Sequence, residues 1–194
     1  MNTSVNNISF KANINALAKT KYKISFEDVC KAFEKGTTKY PNDTLYITKN
    51  KSGAYSWHIS NKQRGDYFKG EEIFTNSIDN HIEELGVKSF AKELINAFKA
   101  MKLERDIYKK AKPVKIELDK TKGLYEAYKK MAEAYKGDGN LSMAKRYEYL
   151  ANRNQSKLSD LTAQYNKYVN TFKTKLKELS KDYPEIGQVE LYLA

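Results

Sequence analysis

Cysteine is nearly missing from this chain: Cys30 stands alone among 194 residues. A disulfide framework is therefore excluded. With only His58 and His81 beside it, no zinc site of ordinary Cys/His spacing can be built, and no metal is expected. Three prolines and nine glycines are too few for a collagen-like or linker-dominated chain. No apolar run approaches the roughly 20 residues that span a bilayer, and no signal-peptide core follows Met1. Gly65, Gly70 and Gly86 stand isolated, so no phosphate-binding loop or dinucleotide fingerprint is present and no cofactor is expected. These absences leave a soluble, mostly helical protein of a reducing compartment.

What is plentiful is positive charge. Lys and Arg number 35 against 24 Asp and Glu, a net charge of +11. The excess is +7 over residues 1–70, zero over 71–112 and +4 over 113–194. Residues 1–22 hold five Asn, no acidic residue and no sustained period, which reads as a flexible tail. Such a leader resembles the unstructured export signals of some bacterial effector proteins. The expected location is cytoplasmic, with export lacking a classical signal peptide, as a secreted effector, the alternative.

Ser25-Phe26-Glu27-Asp28 reads as a helix start, and Phe26, Val29, Cys30 and Phe33 recur at helical spacing up to Gly36. Asp43–Lys49 and Ala54–Ser60 alternate as the strands of one hairpin. For Leu45 and Ile47 to share a face with Tyr55, Trp57 and Ile59, paired residue numbers must sum to 102 or 104. From Glu71 the period turns helical. One helix ends at Gly86, and a longer one from Lys88 to Ala111 is stopped by Pro113. Pro113–Asp119 reads as a connector or short strand. Leu124–Lys136 and Leu141–Asn152 form a helical hairpin. Leu158, Leu161, Tyr165, Tyr168, Phe172, Leu176 and Leu179 then form a near-heptad seam. Gln188–Leu193 is a weak strand signal.

The expected fold is mainly α with one β-hairpin. An N-terminal α+β part of helix, hairpin and helices (23–112) precedes a C-terminal helical hairpin plus long helix (113–194). The expected core takes the apolar residues of the first helix, hairpin and middle helices, together with Met131, Tyr135, Leu158, Leu161, Tyr165, Tyr168 and Phe172.

Residues 124–154 resemble a single tetratricopeptide repeat. Tyr128, Met131, Ala132 and Tyr135 stand at the first helix's aromatic, large, small and Tyr places, Gly139 in the turn, and Ala144 and Ala151 at the second helix's small places. Glu148 occupies a place the family gives to an aromatic. The resemblance implies a helical hairpin that binds a peptide or partner helix through Glu126, Tyr128, Lys129, Glu133 and Lys136. The neighbouring Tyr165/Tyr168 helix would complete the groove.

Catalysis finds no support. Cys30 with His58 or His81 is the one conceivable nucleophile–base pair, but Cys30 lies on the apolar stripe of its helix. The expectation is a non-enzymatic adaptor whose partner is another protein or a peptide. The alternative is a basic nucleic-acid binder. It would use Lys49, Lys51, Lys62 and Arg64 around the hairpin's aromatics, and a stripe of Lys173, Lys177 and Lys181. Lysine far outnumbers arginine, which weighs against base-specific readout.

Overall fold

The architecture is that of a computed structural model, which describes residues 13–16, 20–49, 55–61, 67–69, 78–188 and 191. The elements run β1 (Asn13–Ala16), α1 (Lys23–Gly36), β2 (Asp43–Lys49), β3 (Tyr55–Asn61), β4 (Tyr67–Lys69), α2 (Ile78–Gly137) and α3 (Leu141–Leu179). A 3-10 turn over Pro184–Gln188 follows. Mainly α with one β-hairpin is what the chain forms, and the hairpin belongs to a four-stranded sheet of order β1-β2-β3-β4.

The hairpin register follows side-chain parity. Leu45 pairs with Ile59, Ile47 with Trp57 and Asp43 with Asn61, each summing to 104. Leu45, Ile47 and Ile59 are buried, as a hairpin with one face on a core requires. Two strands escape the sequence pattern. β1 pairs in parallel with β2, Ile14 opposite Leu45, so Asn13–Ala16 are not part of a free tail; residues 1–12 and 17–19 lie outside the described residues. β4 adds antiparallel to β3. The two segments are only four and three residues long, and each is held by an existing strand edge.

The described residues fall into two compact units, one within Met1–Leu103 and Leu176–Val189, the other within Glu104–Lys175 and Glu190–Ala194. The expected division at 112/113 is thus displaced to 103/104, and the end of α3 returns to the first unit.

In the first unit the core gathers Val29, Phe33, Leu45, Ile47, Ile59, Phe90, Leu94 and Phe98. Phe33 meets Phe98 edge-on at 5.4 Å, and Tyr40 meets the same ring at 5.2 Å. Helix α1 starts at Lys23 after Tyr22 rather than at Ser25, with no side-chain cap. Thr20 and Tyr22 are instead bonded across to the start of α2, at Asp79 and Glu83. Gly36 is the last residue of α1, and a Cβ there would lie 2.4 Å from Ile95 Cδ1, so a side chain at this position would have to displace Ile95. The returning C-terminal segment is fixed by Lys92–Asp182 at 2.5 Å and by the Tyr183 hydroxyl, which donates to the Ser89 carbonyl at 2.9 Å. Gln188 belongs to the 3-10 turn rather than to a strand; 189, 190 and 192–194 lie outside the described residues.

The helices are longer than their punctuation suggests. α2 breaks at Gly86, as expected, where φ is 71° and ψ 167°, but Pro113 sits inside it and no connector or strand follows. The missing N–H of a helical proline leaves one carbonyl without its bond. Burial of Ala111 on one side of Pro113 and Thr121 on the other keeps the helix packed across that defect. α3 likewise runs unbroken through 152–158, so the hairpin's second helix and the heptad seam are one helix.

Candidate functional site

The second unit holds the turn between α2 and α3. Lys136 O and Tyr135 O accept from the backbone of Gly139 (3.2 Å) and Asn140 (2.8 Å). Gly139 turns the chain at φ 74°, a left-handed conformation that glycine adopts without strain. The Asn140 side chain then accepts from Met143 N–H at 3.2 Å and caps the start of α3. Ala132, Ala144 and Ala151 are buried, so the two backbones approach closely where side chains are small. Tyr147 stacks on Tyr135 at 5.5 Å and lies 6.1 Å from Tyr128.

Beside this alanine contact the two helices enclose a concavity of about 390 Å³. Its walls are Tyr125, Lys129, Glu133 and Lys136 from α2 with Glu148 and Asn152 from α3, and Ala132 and Ala151 also line it. Among the described residues, Lys129, Glu133, Lys136 and Glu148 make no ion pair or side-chain hydrogen bond with one another or with other groups. Four charged side chains thus face one recess.

Of the residues the sequence singles out, Lys129, Glu133 and Lys136 come together here. Glu126 and Tyr128 do not line the recess, and Tyr128 lies in the tyrosine cluster. Tyr165 and Tyr168 are not among its walls either, because α3 continues past Asn152 instead of folding back. Glu148, Ala151 and Asn152 complete the site.

The core expected of this unit is largely half-exposed. Met131 is 45% exposed, and Tyr135, Leu158, Leu161, Tyr165 and Tyr168 are half-buried; Phe172 is buried. Two helices bury only the line along which they touch.

Burial, with Glu34 and Glu27 nearby, pushes the half-buried Cys30 thiol up to about 11, so it stays protonated at neutral pH. His81 stacks on Phe90 at 5.1 Å with Nδ1 3.5 Å from the buried Glu93. Glu83 takes a hydrogen bond from Tyr22 at 2.6 Å and an ion pair from Lys21 at 2.8 Å; Lys21 and then Tyr22 hold its carboxyl below the usual range. No group of three metal-ligating side chains occurs among the described residues.

For the nucleic-acid alternative, Lys49 ends β2, while Lys51, Lys62 and Arg64 lie outside the described residues. Lys173 and Lys177 are exposed one turn apart on α3, but Lys181 falls in the turn beyond its end, so the stripe is two lysines long. No helix among the described residues is long and apolar enough to cross a membrane. Comparison with protein-family models, with curated proteins and with solved structures yields no match.

Proposed function

We propose that the hairpin at the α2–α3 turn is a non-catalytic interaction module that takes a peptide or a partner helix in the recess between its helices. One observation carries the reading: Lys129, Glu133, Lys136 and Glu148 line one concavity above Ala132 and Ala151. Mixed charge around a small-residue floor suits a helix or extended segment that lays small apolar side chains down and answers the charges from its flanks. The tetratricopeptide-like spacing of 124–154 supports the same role. Helices α2 and α3 extend well past this stretch, so the likeness concerns the hairpin's tip.

The test is to pan a random displayed peptide library against the full chain at about 150 mM salt, where surface charge is screened beyond roughly 8 Å. Selected peptides should bind the purified chain in fluorescence anisotropy and lose tenfold or more in affinity on Lys129→Glu, with Lys173→Glu indifferent. Binders that ignore Lys129→Glu, or a library that yields none, would sink the reading. Submicromolar oligonucleotide binding at that salt, falling steeply as salt rises and answering to Lys173 and Lys177, would replace it with the nucleic-acid alternative.

A further inference from the structure

Ala144, Tyr147 and Ala151 mark the face of α3 that meets α2, where Tyr147 contacts Tyr128 and Tyr135. The opposite face of α3 carries a different row. Arg146, Tyr149 and Arg153 follow one another at steps of three and four, and Lys145 stands four residues before Tyr149, so the four share one side of the helix. All four are exposed, and none lines the recess.

Two features set this row apart. Tyr149 is 66% exposed, whereas Tyr125, Tyr128, Tyr135 and Tyr147 of the same hairpin are half-buried. Arginine is scarce in the chain, yet it flanks this one ring on both sides: of the other two arginines, Arg105 is buried and Arg64 lies outside the described residues. Lysines nearby have found carboxylates, Lys115 at Asp119 and Lys157 at Glu117. Among the described residues, Lys145, Arg146 and Arg153 pair with none.

We infer that this row binds single-stranded nucleic acid, with a base stacked on Tyr149 and the neighbouring phosphates held by Arg146, Arg153 and Lys145. Guanidinium, ring, guanidinium is the order in which a strand offers phosphate, base and phosphate. Positions three and four apart on a helix stand about 5–6 Å from each other at Cβ, so long cationic side chains can reach past the ring on either side. The net charge of +11 draws a polyanion to the chain in the first place.

Other anionic partners fit less of the row. The carboxylates of an acidic peptide answer the cations but leave the Tyr149 ring in water. A membrane surface calls for an apolar row to enter it, and the further exposed positions on this face are Ser142, Ser156 and Asp160. A duplex keeps its bases stacked on one another, away from the ring. The contact senses ring and charge without reading sequence, since every base has a face to stack. It lies on another side of the hairpin from the recess, and does not depend on the peptide reading.

Fluorescence anisotropy of a labelled oligothymidine strand of about 12 nucleotides with the full chain tests the site. Affinity should fall from about 50 to about 200 mM salt, each phosphate contact adding about 0.7 to the slope of log K against log[salt]. The Arg146→Gln/Arg153→Gln double variant should flatten that slope by about 1.4. Tyr149→Ala should weaken binding about fivefold or more with the slope unchanged, and Tyr149→Phe should bind as the parent does. Lys39→Gln, which removes one exposed charge in the first unit, should alter neither affinity nor slope appreciably. Should Tyr149→Ala lose helicity in circular dichroism, Tyr149→Leu gives the same reading. Oligouridine bound in preference to oligothymidine supports the same site with RNA as its strand. No binding at about 50 mM salt, a duplex bound as tightly as the strand, or binding that ignores both Tyr149→Ala and the arginine pair overturns the inference. Polyglutamate or a phosphatidylserine vesicle bound with the same dependence on Tyr149 also overturns it, and gives the row to a protein or a membrane.

Discussion

Lys102 reaches from α2 to Asp43 at the start of β2, 2.7 Å apart, with both side chains less than a tenth exposed. The same ammonium lies 5.4 Å from the centre of the Tyr40 ring. The pair ties sheet to helix in the first unit, where water cannot replace either partner. Removing one half strands a buried charge, which costs several kcal/mol, whereas replacing both by apolar groups is far milder. Asp43→Ala should therefore destabilise the chain by about 3 kcal/mol in urea unfolding. The Asp43→Leu/Lys102→Met double variant should recover more than half of that. Equal, additive losses from the two sites would show that the pair is not coupled.

Glu104 gives a pH dependence of definite sign. It is 5% exposed, one carboxylate oxygen has no hydrogen-bond partner, and burial pushes its pKa from 4.5 up to about 7. Between those values the folded chain holds a proton that the unfolded chain has released. Its contribution is therefore fully present below pH 4.5 and lost as pH rises through about 7. The full loss is about 3 kcal/mol, from 1.4 kcal/mol per pKa unit. Glu104→Gln keeps the shape without the charge and should be more stable than the parent at pH 8, with the advantage gone at pH 4. A difference between the two chains that does not change with pH would mean that Glu104 is solvated in solution.

Cys30 should behave as an inert thiol. With its pKa pushed up to about 11, the thiolate is scarce at pH 7.5, and labelling by iodoacetamide should be far slower than for a free cysteine of ordinary acidity. The rate should climb steadily toward pH 10 instead of levelling near 9. Rapid labelling at neutral pH would contradict the environment set by burial and by Glu34 and Glu27.

These tests rest on parts of the molecule that were unequally legible. Leu45, Ile47 and Ile59 could be paired from parity, because a slip of one residue would turn them out to water. Gly86 could be read as a break because a local rule governs it. Pro113 obeyed no such rule: the penalty for a helical proline is local, while the packing that outweighs it, Ala111 and Thr121 along α2, comes from the tertiary fold. β1 was hidden for the opposite reason, since Asn13-Ile14-Asn15-Ala16 has little strand character until the edge of β2 supplies its hydrogen bonds. At the candidate site, Lys129, Glu133 and Lys136 follow from helical spacing on one segment. Glu148 and Asn152 come from the other helix, and only the turn geometry brings them alongside.

Two glycines of α2 should respond to the same substitution with opposite sign. At Gly86 an added Cβ would meet nothing within 4 Å, so sterics with neighbours play no part. Its φ of 71° with ψ of 167° is nevertheless a backbone state that only glycine occupies cheaply. Gly86→Ala should cost about 1–3 kcal/mol through the backbone alone. Gly123 also has open space around its Cβ position, but it is exposed and α-helical within α2. There alanine removes conformational freedom from the unfolded chain and should stabilise by about 0.5–1 kcal/mol. Thermal unfolding of the two variants beside the parent decides it: Tm should fall for Gly86→Ala and rise for Gly123→Ala. A Gly86→Ala chain as stable as the parent would mean that α2 straightens through residue 86, with the left-handed break no part of the native fold.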